Sequence, residues 1–112
     1  MHEFRLETGD GRTVCERCAR AESPLQRMRG LLGRRSLQPG EGILLRPAGS
    51  IHTAFMRFAI DAVFVDREGR VLRVADSVPP WRAAGAKGAK AVVELPAGAA
   101  AGLAAGEQLV LP

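Results

Sequence analysis

The chain has 112 residues and a formal net charge of +4, from 16 Lys and Arg against 12 Asp and Glu, a length that suits one domain able to bury a core without obligatory metals or disulfides. A hydrophobic fraction of 46% and a charged fraction of 25% exclude extended disorder, and no run reaches the roughly 20 apolar residues of a membrane-spanning helix. The start Met1-His2-Glu3-Phe4-Arg5 lacks the basic-then-apolar order of a secretory signal, which makes the cytoplasm the expected compartment.

Phe4 and Leu6 alternate with charged neighbours and Gly9-Asp10-Gly11 follows, so a hairpin is predicted whose second strand runs from Thr13 to Cys15. Cys15-Glu16-Arg17-Cys18 is a lone CxxC. Structural zinc wants four ligands, and only His2 and His52 could complete a set; a redox pair would want a helix starting directly after it. Incidental reduced thiols, a disulfide or redox pair, and a metal site all stay open for these cysteines, and neither a metal nor a cofactor enters the expected site. Ser23-Pro24-Leu25-Gln26 then combines an N-cap serine, a proline at the first helical position and a capping-box glutamine. With Leu25, Met28 and Leu32 on one face, Leu31 beside them and Gly33 as the stop, the pattern predicts an amphipathic helix over about 23–33.

Residues 36–42 read as a loop, Ile43-Leu44-Leu45 as a short buried strand, and Pro47 and Gly49 as a further interruption. Strands follow at Ile51–Met56 and Ile60–Val65, the second turning through Asp66-Arg67-Glu68-Gly69 into Val71–Val74. After Val78-Pro79-Pro80-Trp81-Arg82, residues 83–90 have the small and basic character of an exposed loop. Ala91–Leu95 is a strand closed by Pro96, residues 97–105 form a helical turn or loop, and 107–111 supply a last strand. The sum is a single α+β domain: mostly antiparallel sheet or a small, partly closed barrel, with one principal helix packed on it.

The chemistry concentrates between Ser50 and Asp61, where an imidazole, two hydroxyls, a guanidinium and a carboxylate interrupt an apolar run. Buried polar groups cost about 1–3 kcal/mol each unless partnered, so these side chains need partners or a ligand. On a strand, His52 and Thr53 would point to opposite faces, which leaves Ser50, His52 and Asp61 as the only set resembling nucleophile, base and acid, without the signature of a nucleophile elbow. A structural cluster, with Asp61 pinned by Arg57 or Arg29, competes with a ligand site built from the same residues. Trp81 and Arg82 favour the site, because an indole face beside a guanidinium stacks on a sugar, base or peptide ring; a tryptophan capping the core is the alternative.

Charge alone invites a nucleic-acid reading, yet the excess is modest and uneven. Residues 1–35 carry eight Arg against five acids, and residues 36–112 eight cations against seven acids. Weak nucleic-acid binding through this basic third would require Arg27, Arg29, Arg34 and Arg35 to form one patch.

The ordered series Arg29-Gly30-Leu31-Leu32-Gly33-Arg34, Gly42-Ile43-Leu44-Leu45, Ile51-His52-Thr53 to Arg57, Ile60-Asp61, Pro80-Trp81-Arg82, Glu94-Leu95-Pro96-Ala97-Gly98 and Gly106-Glu107 resembles domain-of-unknown-function family 192, also called uncharacterised protein family 0127. The resemblance covers about Leu25 to Leu111. It implies a small, mostly β bacterial or archaeal domain and brings no established activity. Members often carry a tryptophan before the methionine and lysine-asparagine after it, where this chain has Phe55-Met56-Arg57-Phe58. The expectation is therefore a binding or accessory module, partner an unidentified small molecule or protein, with a site of Arg29, His52, Thr53, Arg57, Asp61, Trp81 and Arg82.

Overall fold

A computed structural model describes residues 2–21, 23, 26, 31 and 33–112. Nine strands are formed in chain order: β1 (Glu3–Thr8), β2 (Thr13–Ala21), β3 (Glu41–Leu45), β4 (Ser50–His52), β5 (Ile60–Val65), β6 (Val71–Val78), β7 (Ala83–Gly85), β8 (Ala91–Pro96) and β9 (Leu109–Val110). Seven make one sheet in the order β6-β5-β8-β3-β2-β1-β9, and β4 pairs with β7 in a separate two-stranded ribbon. All pairings in the large sheet are antiparallel except β2 with β3. The α+β expectation is thus corrected to a nearly all-β fold: strand accounts for 49% of the chain and helix for 1%. Most of the helix expected over 23–33 lies outside the described residues, and among those described no helical element is present. No helix among them is long and apolar enough to cross a membrane.

The sheet curls into a half-barrel because its two edges meet at one end. Arg70, just before β6, bridges to Gln108, just before β9, and Val71 N–H donates to Glu107 O at 2.8 Å while Leu109 N–H donates to Gly69 O at 2.9 Å. The junction depends on Gly69, whose φ is +87° and where an added Cβ would lie 2.5 Å from Leu109 O. Asp66 sets up the turn that delivers it, its Oδ1 accepting the N–H groups of Glu68 and Arg70, each at 2.9 Å.

Strands β3, β5 and β8 are almost continuously apolar because both of their faces are covered. Ile43, Leu45, Ile60, Ala62, Phe64 and Val92 join one core cluster, with Ile51, Met56 and Ala89 over them. Leu44, Val63, Val65, Ala91, Val93 and Leu95 join the other, with Leu6, Cys15, Cys18 and Leu109. The members alternate along each strand, as a two-residue period requires. Glu94 breaks the pattern: it is a carboxylate, 4% exposed, facing the same side as Val92 with Ile43 and Ala62 as its register neighbours. Burial alone pushes its carboxyl up from 4.5 to about 7.

Two of the predicted elements are redrawn. The strand expected over Ile51–Met56 ends at His52, because Met56 N–H closes a turn onto Thr53 O at 3.1 Å. The loop expected over 83–90 begins with β7, which completes the ribbon with β4 in the register Ser50–Gly85, Ile51–Ala84 and His52–Ala83. The two hairpins, β1–β2 and β5–β6, form where the sequence places them, with β6 running on to Val78.

Candidate functional site

The β4–β7 ribbon carries two turns at one end, residues 53–56 and 79–82, and Thr53 ties them together. Thr53 N–H donates to Arg82 O at 2.7 Å, and Trp81 N–H donates to Thr53 O at 3.0 Å. Its hydroxyl donates to Pro79 O at 2.6 Å and accepts from Arg82 N–H at 2.8 Å. Thr53 is fully buried, so this small side chain satisfies backbone groups on a segment 26 to 29 residues away.

What the clip holds up is a pair of exposed aromatic rings. Phe55 and Trp81 are 72% and 60% exposed, the largest fractions among the described large hydrophobic residues, and their ring centroids are 4.6 Å apart with the planes tilted by 59°. Both have φ of +65°, a left-handed conformation that bulky L-residues adopt only when the surrounding structure imposes it. Here the imposing contacts are the Thr53–Met56 turn on one side and the Trp81–Thr53 hydrogen bond on the other. Trp81 therefore does not cap the core.

His52, Arg57 and Arg82 are exposed and lie within three residues of Phe55 or Trp81 along the chain. His52 is register-paired with Ala83, the residue after Arg82. The Arg82 guanidinium folds back to donate to Trp81 O at 3.2 Å, and Arg57 makes no ion pair among the described residues. Along the ribbon, Ser50, Ile51, His52, Ala83, Ala84 and Gly85 line an open groove of about 470 Å³, within the range of small-ligand sites.

Asp61 is placed differently. It lies on β5, fully buried, with Oδ1 accepting from Ser77 N–H at 2.8 Å and Oδ2 from Gly98 N–H and Ala100 N–H, both at 2.9 Å. These bonds fix Ser77, whose φ is +50°, and the 97–105 segment; the expected pairing of Asp61 with Arg57 is not formed. Ser50, His52 and Asp61 are not brought together: the carboxylate oxygens face three backbone N–H groups, and the His52 imidazole makes no hydrogen bond among the described residues. Arg29 lies outside the described residues. Thr53 and Asp61 are thus partnered polar groups that position turns, while His52, Arg57, Trp81 and Arg82 present themselves to solvent. No group of three or more His, Cys, Asp or Glu capable of holding a metal occurs among the described residues.

Phe55 was not foreseen, because strand alternation assigned it to the face of Ile51 and Thr53. The available signal was the tryptophan that related sequences often carry before the methionine, which marks this position as aromatic.

The model of the family named DUF192, an uncharacterized ACR, matches residues 5–111. A protein of unknown function from Novosphingobium aromaticivorans DSM 12444 has a similar structure, with a TM-score of 0.83 at 24% identity over 97% of this chain and 84% of that one. So does a candidate transcription regulator from Sinorhizobium meliloti 1021, with a TM-score of 0.82 at 25% identity over 96% and 91%. No curated protein matches the sequence.

Proposed function

The chain belongs to domain-of-unknown-function family 192, and on that premise we propose that it is a non-enzymatic binding module whose recognition surface is the Phe55–Trp81 pair with His52, Arg57 and Arg82 around it. The observation that carries this reading is the exposed, tilted ring pair on two left-handed residues. A hydrophobic pair in water gains by covering its faces, at about 25 cal/mol for each Å² removed from solvent, and two guanidinium groups and an imidazole beside it favour an anionic ligand. The chemistry fits a small molecule or peptide side chain that offers a ring face and a negative group. The β4–β7 groove extends the surface away from the rings. Thr53 and Asp61 act through position: they hold the turns and touch no ligand.

Titration with phenyl phosphate and with benzoate, followed by the emission of the single tryptophan, tests the reading. Saturable change in the native protein that is lost in Phe55→Ala supports it; unchanged emission with both probes refutes it for ring-bearing anions.

The name of the Sinorhizobium meliloti relative directs attention to DNA as a second reading. In this chain Arg34 is engaged by Glu41 at 2.8 Å and Arg12 by Glu107 at 2.6 Å, which reduces the free cations of the basic N-terminal third. Binding to a generic duplex that weakens steeply with added salt would favour that reading.

A further inference from the structure

The two cysteines sit three residues apart on β2, a spacing that on a regular strand sends side chains to opposite faces. Here both point into the same core. The register against β1 explains it: Phe4 pairs with Cys18 and Leu6 with Cys15, so β2 advances three residues where β1 advances two. The extra residue is a bulge around Glu16 and Arg17, and β2 is accordingly buried at every third position, Cys15, Cys18 and Ala21. Cys15 and Cys18 both join the cluster with Leu6, Leu44, Val93 and Leu95, and both are free thiols.

Both thiols are buried, Cys15 1% and Cys18 0% exposed, and Cys15 lies against a turn. Its thiol donates to Gly40 O at 3.4 Å, in the turn that precedes β3, and this turn is held by the bonds Arg17 N–H to Gly40 O and Glu41 N–H to Gln38 O. Gly42 leaves the space the sulfur occupies, since an added Cβ there would lie 2.8 Å from Cys15 Sγ. The neighbouring Cys18 thiol lowers the pKa of Cys15 against the opposing effect of burial, and the Arg17 backbone and charge act in the same direction as Cys18. Cys18 is shifted the opposite way, by the neighbouring Cys15 and by burial. Of the two sulfurs, Cys15 is the one in contact with the surface turn and the one whose pKa is lowered.

We propose that Cys15 and Cys18 form a reversible dithiol–disulfide site, with Cys15 as the reacting sulfur, Cys18 as the resolving one, and a hydroperoxide as the oxidant. The Cys15 thiolate attacks the terminal peroxide oxygen, the O–O bond breaks, and a sulfenic acid forms while the leaving oxygen takes a proton as water or alcohol. The Cys18 sulfur then attacks the sulfenic sulfur; an S–S bond forms, the S–O bond breaks, and hydroxide leaves with the Cys18 proton as water. Two thiols lose two electrons and two protons in all, and an external dithiol reverses the reaction. Access requires movement of the 38–41 turn, a local opening at the surface. The β2 bulge supplies the proximity. This site lies on the large sheet and does not depend on the aromatic surface.

The test is mass spectrometry of the reduced protein after treatment with hydrogen peroxide. The expected product is lighter by two hydrogens, and trypsin, cutting after Arg17 inside the ring, yields the peptides Thr13–Arg17 and Cys18–Arg20 joined by a disulfide that dithiothreitol separates. In C18S the sulfenic acid on Cys15 persists and is trapped by dimedone; in C15S no dimedone adduct forms on Cys18. So that the test does not depend on either variant folding, the native protein is also treated with phenylarsine oxide. That reagent condenses with two thiols with loss of one water, and one arsenical per chain blocking both cysteines is expected. Oxygen added to each cysteine separately, no change at peroxide levels that oxidise free cysteine, or failure to take up the arsenical would each overturn the assignment.

Discussion

Replacing Thr53 by Val keeps the shape of the side chain and removes only the hydroxyl, so it measures what the clip between the two turns contributes. Two partners are orphaned: Pro79 O, which the hydroxyl meets at 2.6 Å, and Arg82 N–H, which it meets at 2.8 Å. An unsatisfied buried group costs about 1–3 kcal/mol. Pro79 and Arg82 are both on an exposed stretch where water replaces part of what is lost, so the lower end applies to each, about 2 kcal/mol in total. The main-chain bonds Thr53 N–H to Arg82 O and Trp81 N–H to Thr53 O remain, and the turn loosens without leaving the ribbon. Urea unfolding should show a lower midpoint with an unchanged slope, and the steady-state fluorescence anisotropy of Trp81 should fall. Thr53→Ser keeps the hydroxyl and loses one buried methyl, so it costs about 1 kcal/mol and leaves the anisotropy intact. A Val variant within about 0.5 kcal/mol of the native protein, the scatter of ordinary surface substitutions, would refute the clip.

Asp61→Asn replaces an acceptor by a donor opposite at least one of the three backbone N–H groups that the carboxylate receives; about 1–3 kcal/mol of stability should be lost in chemical denaturation, with ligand affinity falling only as far as the turns loosen. Glu94 gives the chain a pH signature. Its carboxyl is raised from 4.5 to about 7 by burial, so the folded state holds a proton that the unfolded state releases between those values; stability falls as pH rises through that window and levels off above about 7, by on the order of 3 kcal/mol at about 1.4 kcal/mol per pH unit. Glu94→Gln should flatten this profile, and equal slopes in native and variant chains would contradict the assignment.

How far the fold could be read in advance depended on whether local pattern and tertiary context agreed. The β1–β2 and β5–β6 hairpins were legible because alternation and Gly-Asp or Asp-Arg-Glu-Gly turns reinforce each other. Strand β7 was hidden because Ala83-Ala84-Gly85 has no apolar alternation, and its pairing with β4 is non-local. The end of β4 was missed for a related reason. Thr53, Phe55 and Met56 favour extended structure, and only the hydrogen bonds to Pro79, Trp81 and Arg82 turn the chain at this point. That early turn changed the site: alternation predicts His52 and Met56 on one face, whereas Met56 is buried and His52 exposed. His52, Trp81 and Arg82 were expected on one surface; the register pairs His52 with Ala83, the residue after Arg82. The cysteine pair could not be read from its spacing, since only the register irregularity against β1 puts both sulfurs on one face.

Ligand recognition is assigned to the Phe55–Trp81 end of the β4–β7 ribbon. Its most direct test is a two-dimensional ¹⁵N–¹H NMR titration of the native chain with a library of ring-bearing anions, mapped residue by residue. The account predicts concentration-dependent shifts centred on His52, Phe55, Arg57, Trp81 and Arg82, and their loss in a Phe55→Ala, Trp81→Ala double variant that still folds. Binding whose shifts fall elsewhere on the half-barrel, or that survives in the double variant, would contradict it.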